Sequence, residues 1–554
     1  MANSDWFGIV RDYTERLVSI RSVSPGPGEI EVAHEVLRLL HADGMADSYT
    51  ASGLDPLEGD PYGRQNAYAF LHGQSPATIV LLGHIDTVDT QDYGPLEPWA
   101  LDPAELAGRL DALLGRETGS ASAAELSDWM FGRGAGDMKS GVAINIALMR
   151  RLAGDAREGR LPISVVMLAT PDEENESAGV LQAVRFLLRL REQYGLSYLG
   201  ALNIDYVTEL YPGDPHRYIY SGSIGKLLPS FLCIGRESHV GLPFIGLDAN
   251  LLAAELIRDL SMNDTLCDAV PGQIAAPPVT LHATDLKTHY DVQLPFAAYF
   301  YLNVLTLTTT PNELLELLRH SAEAVLIQLL RRVDETEQRW RQASGERGWQ
   351  ERFQPRSGVV LSYAELYSET VQLLGEERVT AELTAEWEHW PATLDKRERS
   401  LHIVRRLWAL SGRQGPAVVI YYAPPYYPSV APTPGVLQDA VTAVVEAHPE
   451  LQLKQQPYFP YLSDMSYLRL DPGVDLAALT ANMPVWSASA FSALPGSYNL
   501  PLEAIQQLAL PAINWGPFGC GAHKRDEGVL MSYTFGVLPQ LLYETVECLA
   551  RNSV

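Results

Sequence analysis

Only four cysteines occur in 554 residues, Cys233, Cys267, Cys520 and Cys548, far apart and with no Cys-x-x-Cys pair. That excludes a disulfide framework and a thiolate zinc knuckle, and it fits a reducing, cytoplasmic setting. Basic residues are also scarce: 41 Lys and Arg against 68 Asp and Glu leave a formal net charge of −27. Nucleic acid and anionic membrane are therefore poor partners. No apolar run approaches the roughly 20 residues that span a bilayer; Ala77–Gly83 and Ile163–Ala169 are the strongest, and both are short. The first 19 residues interleave Asp5, Arg11, Asp12, Glu15 and Arg16 with apolar positions, the pattern of an amphipathic helix and not of a secretory leader. There is no internal repeat, no low-complexity tract and no Gly-x-Ser-x-Gly nucleophile elbow. Gly136-Asp137-Met138-Lys139-Ser140 lacks the glycine before lysine of a phosphate loop, and His34 and His41 stand seven apart instead of the four of a zinc-protease helix.

What is present is a globular composition, 46% hydrophobic and 20% charged, in a chain long enough for two or more domains. Near-continuous β-rich runs at Thr78–Leu82, Ile163–Ala169 and Tyr198–Ile204 predict strands buried on both faces. Helical patterns at Gly141–Ala153 and Val180–Tyr194 lie between them, so the first 210 or so residues read as an α/β unit with a largely parallel sheet. Its ligand chemistry belongs at the carboxyl ends of those strands.

After Pro212-Gly213-Asp214-Pro215 the pattern changes. Strand-like Tyr218–Tyr220, Leu228–Ile234 and Tyr299–Leu307 and a helix at Asp248–Leu260 predict an inserted α+β domain. Helical patterns at Glu313–Arg341, Tyr363–Leu374 and Arg399–Leu410 predict a helical extension over about 320–412. The Tyr421–Pro428 stretch, rich in Tyr and Pro, reads as a stiff domain crossing, with stacking of an aromatic substrate as the alternative. A helix near Leu437–Ala447 follows, and the last 130 or so residues complete the first domain. The expected division is 1–215 and 416–554 against 216–415, with hinges near Pro212–Pro215 and Pro424–Pro428 that let a lid close over the site.

Acids and imidazoles gather on predicted loop tips in five places: Gly83-His84-Ile85-Asp86, Gly134-Ala135-Gly136-Asp137-Met138-Lys139, Pro171-Asp172-Glu173-Glu174, Asn203-Ile204-Asp205 and Gly521-Ala522-His523-Lys524. Two imidazoles and several carboxylates without thiolates suit borderline divalent metals, and suit two ions bridged by one carboxylate.

In their order and local words these segments resemble peptidase family M-twenty, the co-catalytic zinc aminoacylases, deacetylases, desuccinylases and small peptidases. The resemblance runs over 1 to about 310 and 416–550, and within the family it is nearest the RocB-type branch linked to arginine utilisation. It implies a zinc-peptidase-like three-layer α/β/α catalytic domain with an inserted lid and dimerisation domain. It also implies two divalent ions, zinc first, with cobalt or manganese as alternatives. His84, Asp137 and Asp205 would hold one ion, and Asp137, Glu174 and His523 the other. Asp86 would orient His84 from behind, Glu173 would act as general base and acid, and His239 would polarise the scissile carbonyl, commonly across a dimer.

Alternatives stay open at two positions. Glu209 competes with Asp205, and a hydrogen-bonded lid histidine is the alternative for His239. One departure stands out: where relatives carry Asp-x-Arg to grip a substrate carboxylate, this chain reads Asn303-Val304-Leu305, which puts a simple dipeptidase preference in doubt. The expectation is a cytoplasmic metal-dependent hydrolase of an amide bond in an N-acyl amino acid or short peptide, acting as a homodimer through the inserted domain. A di- or tripeptidase and a non-catalytic binding descendant are the rivals.

Overall fold

The computed structural model describes residues 6–117, 127–344, 357–486 and 497–553. Two compact units emerge: Met1–Ser223 with Val430–Leu470 and Pro501–Val554, and Ile224–Ser429 with Asp471–Leu500.

The first unit is built on an eight-stranded sheet. At its centre Ser164–Thr170, Ala77–His84, Ser197–Asn203 and Ala512–Asn514 run parallel side by side. The antiparallel pair Ala51–Pro56 and Gln65–Leu71 flanks one edge; Arg217–Tyr220 and Leu453–Gln456 flank the other. Strands 77–84 and 164–170 are buried at every residue, as unbroken apolar runs require in a sheet covered on both faces.

The period of two then sorts the helices. Ile79, Leu81, Val165 and Met167 share one core with Val142, Ile146 and Met149 of helix Ser140–Arg157. Val80, Leu82, Val166 and Leu168 point the other way and are equally buried, on the side where helix Ala178–Tyr194 packs against strands 65–71 and 164–170. This is the expected three-layer α/β/α arrangement. Because the central strands are parallel and in register, with His84 beside Thr170 and Asn203 beside Asn514, their carboxyl ends line up along one edge.

The second unit holds a five-stranded sheet in the order Val279–Asp285, Ala297–Thr306, Gly225–Ile234, Ala417–Tyr427, Val359–Ser362. Its centre is packed by aromatic pairing: Phe231 and Phe300 stack with centroids 4.5 Å apart and planes 3° from parallel. Helices Ala249–Leu260 and Pro311–Ser344 pack on each other, the latter through a buried stripe at Leu314, Leu318, Ala322, Val325 and Leu329. Ser362 and Glu365 form a capping box that starts helix Tyr363–Leu374. Helices Glu376–His389 and Lys396–Ser411 complete the extension; residues 345–356 of the expected extension lie outside the described residues.

Two sequence expectations are corrected here, and one element is added. The Tyr/Pro stretch is a buried strand hydrogen-bonded between two neighbours, not a crossing hinge, because its aromatic rings are needed in the sheet core. Residues 217–220 join the sheet of the first unit through Leu453–Gln456, not the insertion, so the units part after Ser223 and not after 215. Helix 376–389 escapes a periodicity reading because only Val379, Leu383 and Trp387 of its 14 residues are buried.

Candidate metal centre

His84 closes strand 77–84 and is almost fully buried. Its Nδ1 lies 3.2 Å from the carbonyl oxygen of Asp86 and 3.6 Å from Asp86 Oδ1, and its Nε2 lies 3.0 Å from Asp137 Oδ1. Nδ1 thus faces the Asp86 carbonyl and Nε2 faces the Asp137 carboxylate. The Asp86 carboxylate accepts backbone N–H groups of Glu173 at 3.1 Å and Glu174 at 2.9 Å. Asp86 thus reaches His84 chiefly through its main chain, while its side chain fixes the turn that carries the two glutamates.

From the other side, His523 Nε2 lies 2.9 Å from Glu174 Oε1 and 3.3 Å from Asp137 Oδ2. Asp137 therefore offers one carboxylate oxygen toward each imidazole. Candidate ligand atoms of His84, Asp137 and Glu174 all fall within 4.8 Å of one another. Asp205 stands outside that tight group; it is 5% exposed, and its carboxylate accepts from Ser463 Oγ at 2.9 Å and from the Tyr206 N–H at 2.8 Å. Glu209, its rival from the sequence, is exposed and accepts the N–H of Gly213. His239 lies on the second unit, exposed, with its Nδ1 accepting the Gly241 N–H at 3.0 Å.

The charge balance states what the pocket lacks. Burial first, then the neighbouring carboxylates, lift Glu173 and Glu174 above the usual range against the pull of His84 and His523. For the same reasons Asp205 is pushed up to about 7 and Asp464 to about 8. Against its burial, hydrogen bonds from His523 and His84 hold Asp137 well below an ordinary carboxyl. Those same contacts raise His523 to about 10 and hold His84 high. Five carboxylates crowd two imidazoles, so the site is short of positive charge. Oxygen and imidazole donors around such a deficit fit divalent cations.

Several organising residues are invisible in the local sequence. Glu527 is fully buried, and its Oε1 accepts the N–H groups of Gly134 at 2.8 Å, Gly136 at 3.2 Å and Asp137 at 3.2 Å. Its Oε2 takes Arg133 Nη1 at 2.6 Å, and Arg133 in turn holds Asp92 at 2.6 Å. Gly134 sits at φ +80°, where side chains are strained, so the loop wraps one carboxylate closely. Since Glu527 follows His523 by four residues, one side chain ties the loops of two candidate ligands together. On the far side Ser463 and Asn514 hold Asp205. Gly516 is required there because a Cβ would stand 1.8 Å from the Asp205 carbonyl oxygen. The only signal in the sequence was the spacing of Glu527 from His523.

Comparison with known proteins adds an independent line. The family model of Peptidase family M20/M25/M40 matches residues 80–482. Protein RocB of Bacillus subtilis is 31% identical over 97% of this chain and 94% of its own length. An uncharacterised protein of the same organism, YqjN, is 33% identical over 97% and 95%. A succinyl-diaminopimelate desuccinylase of Leptothrix cholodnii is 28% identical over 35% of this chain and 44% of its own. Among solved structures, aminopeptidase PepT of Bacillus cereus superposes with a TM-score of 0.51 at 10% identity, covering 98% of this chain and 99% of that one, a likeness of fold.

Proposed function

The chain belongs to Peptidase family M20/M25/M40 and is a metallohydrolase; from that premise we propose that it hydrolyses the amide bond of an N-acyl amino acid or short peptide. The observation that carries the reading is Asp137, with one oxygen 3.0 Å from His84 and the other 3.3 Å from His523, the disposition of a carboxylate shared by two ions. His84, Asp137 and Asp205 would hold one divalent ion and Asp137, Glu174 and His523 a second, zinc first and cobalt or manganese as alternatives, supplying Lewis acidity that acidifies a water and polarises the amide carbonyl.

The protein's own part is proton traffic and positioning. Glu173 takes the proton that water gives up as its oxygen bonds to the carbonyl carbon, then delivers it to the nitrogen as the C–N bond breaks; the water's second proton passes from the new carboxyl group to the freed amine, leaving a carboxylate and an ammonium group. Asp86 fixes the backbone that presents Glu173 and Glu174 by accepting both of their N–H groups. For His239 as carbonyl polariser, and for arginine metabolites as substrates, support comes from resemblance alone. Dimerisation through the inserted unit is supported by its edge strand 279–285, which leaves Leu281 55% exposed.

The test pairs metal analysis of protein purified without chelator with turnover of N-acyl amino acids and dipeptides by wild type and Glu173→Ala. About two ions per chain, with turnover lowered about 100-fold or more and metal retained in the variant, is expected. Which substrates turn over separates deacylase from peptidase. No bound metal after zinc, cobalt or manganese is supplied would overturn the proposal.

A further inference from the structure

The second unit has an open cavity of about 780 Å³ that the hydrolytic reading does not use. Its floor is apolar: Leu232, Ile234 and Ala297 from the sheet and Trp408 from helix 396–411 line it and are buried. Trp390 forms a fixed wall. Its indole stacks on His402 with centroids 4.0 Å apart and planes 26° from parallel, while its Nε1–H donates to Glu386 at 3.1 Å.

Charge at the rim runs against the rest of the chain. In a protein of net charge −27, Lys287, Arg405, Arg406 and Arg413 line this cavity, with Glu386 as its one carboxylate. Three of the cations are paired to acids outside the lining: Lys287 with Asp291, Arg406 with Glu382, and Arg413 with Glu369 at 2.6 Å. Arg405 is exposed and makes no ion pair among the described residues. Burial, and then the charge of Arg405, hold the His402 imidazole below its ordinary value, so at neutral pH it is an uncharged stacking surface. A flat aromatic wall over an apolar floor recognises a planar body, and an unneutralised guanidinium at the rim recognises an anionic head.

We propose that this cavity is a binding site for a small organic anion with a flat aromatic body, its carboxylate or phosphate head on Arg405 and its ring beside Trp390. The site is separate from the hydrolytic reading and stands whether or not that reading holds.

The test is calorimetric titration of the full chain with benzoate, phenyl phosphate, inorganic phosphate and benzyl alcohol, on wild type, Arg405→Glu and Trp390→Leu. Arg405 is exposed, so its variant keeps the fold, which its circular dichroism and metal content verify. Benzoate or phenyl phosphate should bind at one site per chain, and whichever binds more tightly identifies the head group. Inorganic phosphate and benzyl alcohol should each bind at least tenfold more weakly, because each lacks half of the ligand. Arg405→Glu should weaken the aromatic anion at least tenfold, and Trp390→Leu should weaken it as well. Absence of binding by both aromatic anions, equal binding of benzyl alcohol, or an unchanged affinity in Arg405→Glu would each overturn the proposal. So would sedimentation showing that the cavity is covered by a second copy.

Discussion

In the unit that carries the candidate metal centre, Glu29, Arg64, Asp86, Arg133, Lys139, Asp205, Asp464 and Glu527 are all nearly excluded from water, along with Glu35, His84, Asp155, Asp172 and Asp214. In the inserted unit the charged side chains so buried, among the described residues, are Glu337 and Arg399. Both units have apolar sheets, so the difference is not one of available core. Burying a charge is costly unless partners compensate it, and in the first unit the partners combine opposite charges, such as Asp60 and Asp172 on Arg64 and Glu527 on Arg133, with backbone groups of loops. Glu527 gathers three N–H groups around Asp137, Asp86 gathers two at Glu173 and Glu174, and Asp172 takes the Ala178 N–H at 3.1 Å and Ser24 Oγ at 3.0 Å. Buried charge here fixes the backbone that presents the site. The inserted unit does less of this: Asp268 accepts the N–H groups of Leu307, Thr308 and Thr309 at 2.6–2.7 Å but is only half-buried, and Arg399 is its one nearly buried cation among the described residues.

Removing the most connected of these anchors tests that view most severely. Glu527→Ala leaves the buried Arg133 with Asp92 as its remaining carboxylate partner and frees three buried N–H groups, and should lower unfolding free energy by about 3–5 kcal/mol. Glu527→Gln keeps an acceptor oxygen for those N–H groups and should lose less, about 1–3 kcal/mol. Urea unfolding checks both values. Zinc titration supplies a second reading, since a loosened Asp137 loop should take up less than the wild-type complement in the Ala variant and recover it in the Gln variant. Equal metal uptake in all three proteins would break the link between buried charge and site geometry.

That anchor also marks the limit of what the sequence discloses. Short words on loop tips singled out His84, Asp86, Glu173 and Glu174, which close or follow the buried parallel strands 77–84 and 164–170. Asp137 and His523, beside the antiparallel strands 129–131 and 519–520, were singled out by the order of words that the family resemblance supplies. The strands at 77–84, 164–170 and 197–203 were legible as near-continuous β-rich runs. Glu527, Ser463 and Asn514 were not, because their partners lie hundreds of residues away and their own neighbours form ordinary loops. The Tyr/Pro strand 417–427 was misread because proline argues against a strand locally, while the sheet accepts it where ladder hydrogen bonds lapse, between Ala423 and Tyr427.

A smaller effect is expected at Glu29. It sits beside Arg64, which also pairs with Asp60 and Asp172, and it accepts the Gly26 N–H at 2.7 Å. Burial first, and then Asp86, push its carboxyl from 4.5 up to about 7. The folded state thus holds this proton more tightly than the unfolded chain. The stabilisation it gives is complete below the unfolded value and is lost as pH rises through about 7. Glu29→Gln cannot titrate, so the decline in stability between pH 5 and pH 8 should flatten, by on the order of 2 kcal/mol. Hydrogen exchange should place the change at helix Gly28–His41 and strand Gln65–Leu71. A decline as steep in the variant as in wild type would assign the pH dependence to other groups.

The inserted unit supplies the converse and smallest prediction. If its sheet is held by apolar packing, damage there should be graded and local. Phe231 is fully buried and stacks on Phe300; Phe231→Leu keeps an apolar side chain but loses the aromatic pair and leaves a small void, at about 1–2 kcal/mol. Exchange should quicken in strands 225–234 and 297–306, which share the register Phe231 to Phe300. Strands 77–84 and 164–170 should be unaffected, and zinc uptake should match wild type, because no residue of the candidate centre leans on that pair for its hydrogen bonds. The same loss spread evenly over both units, or a fall in metal uptake, would mean that buried charge in the first unit depends on the packing of the second, and the two regions would have to be treated as one cooperative structure.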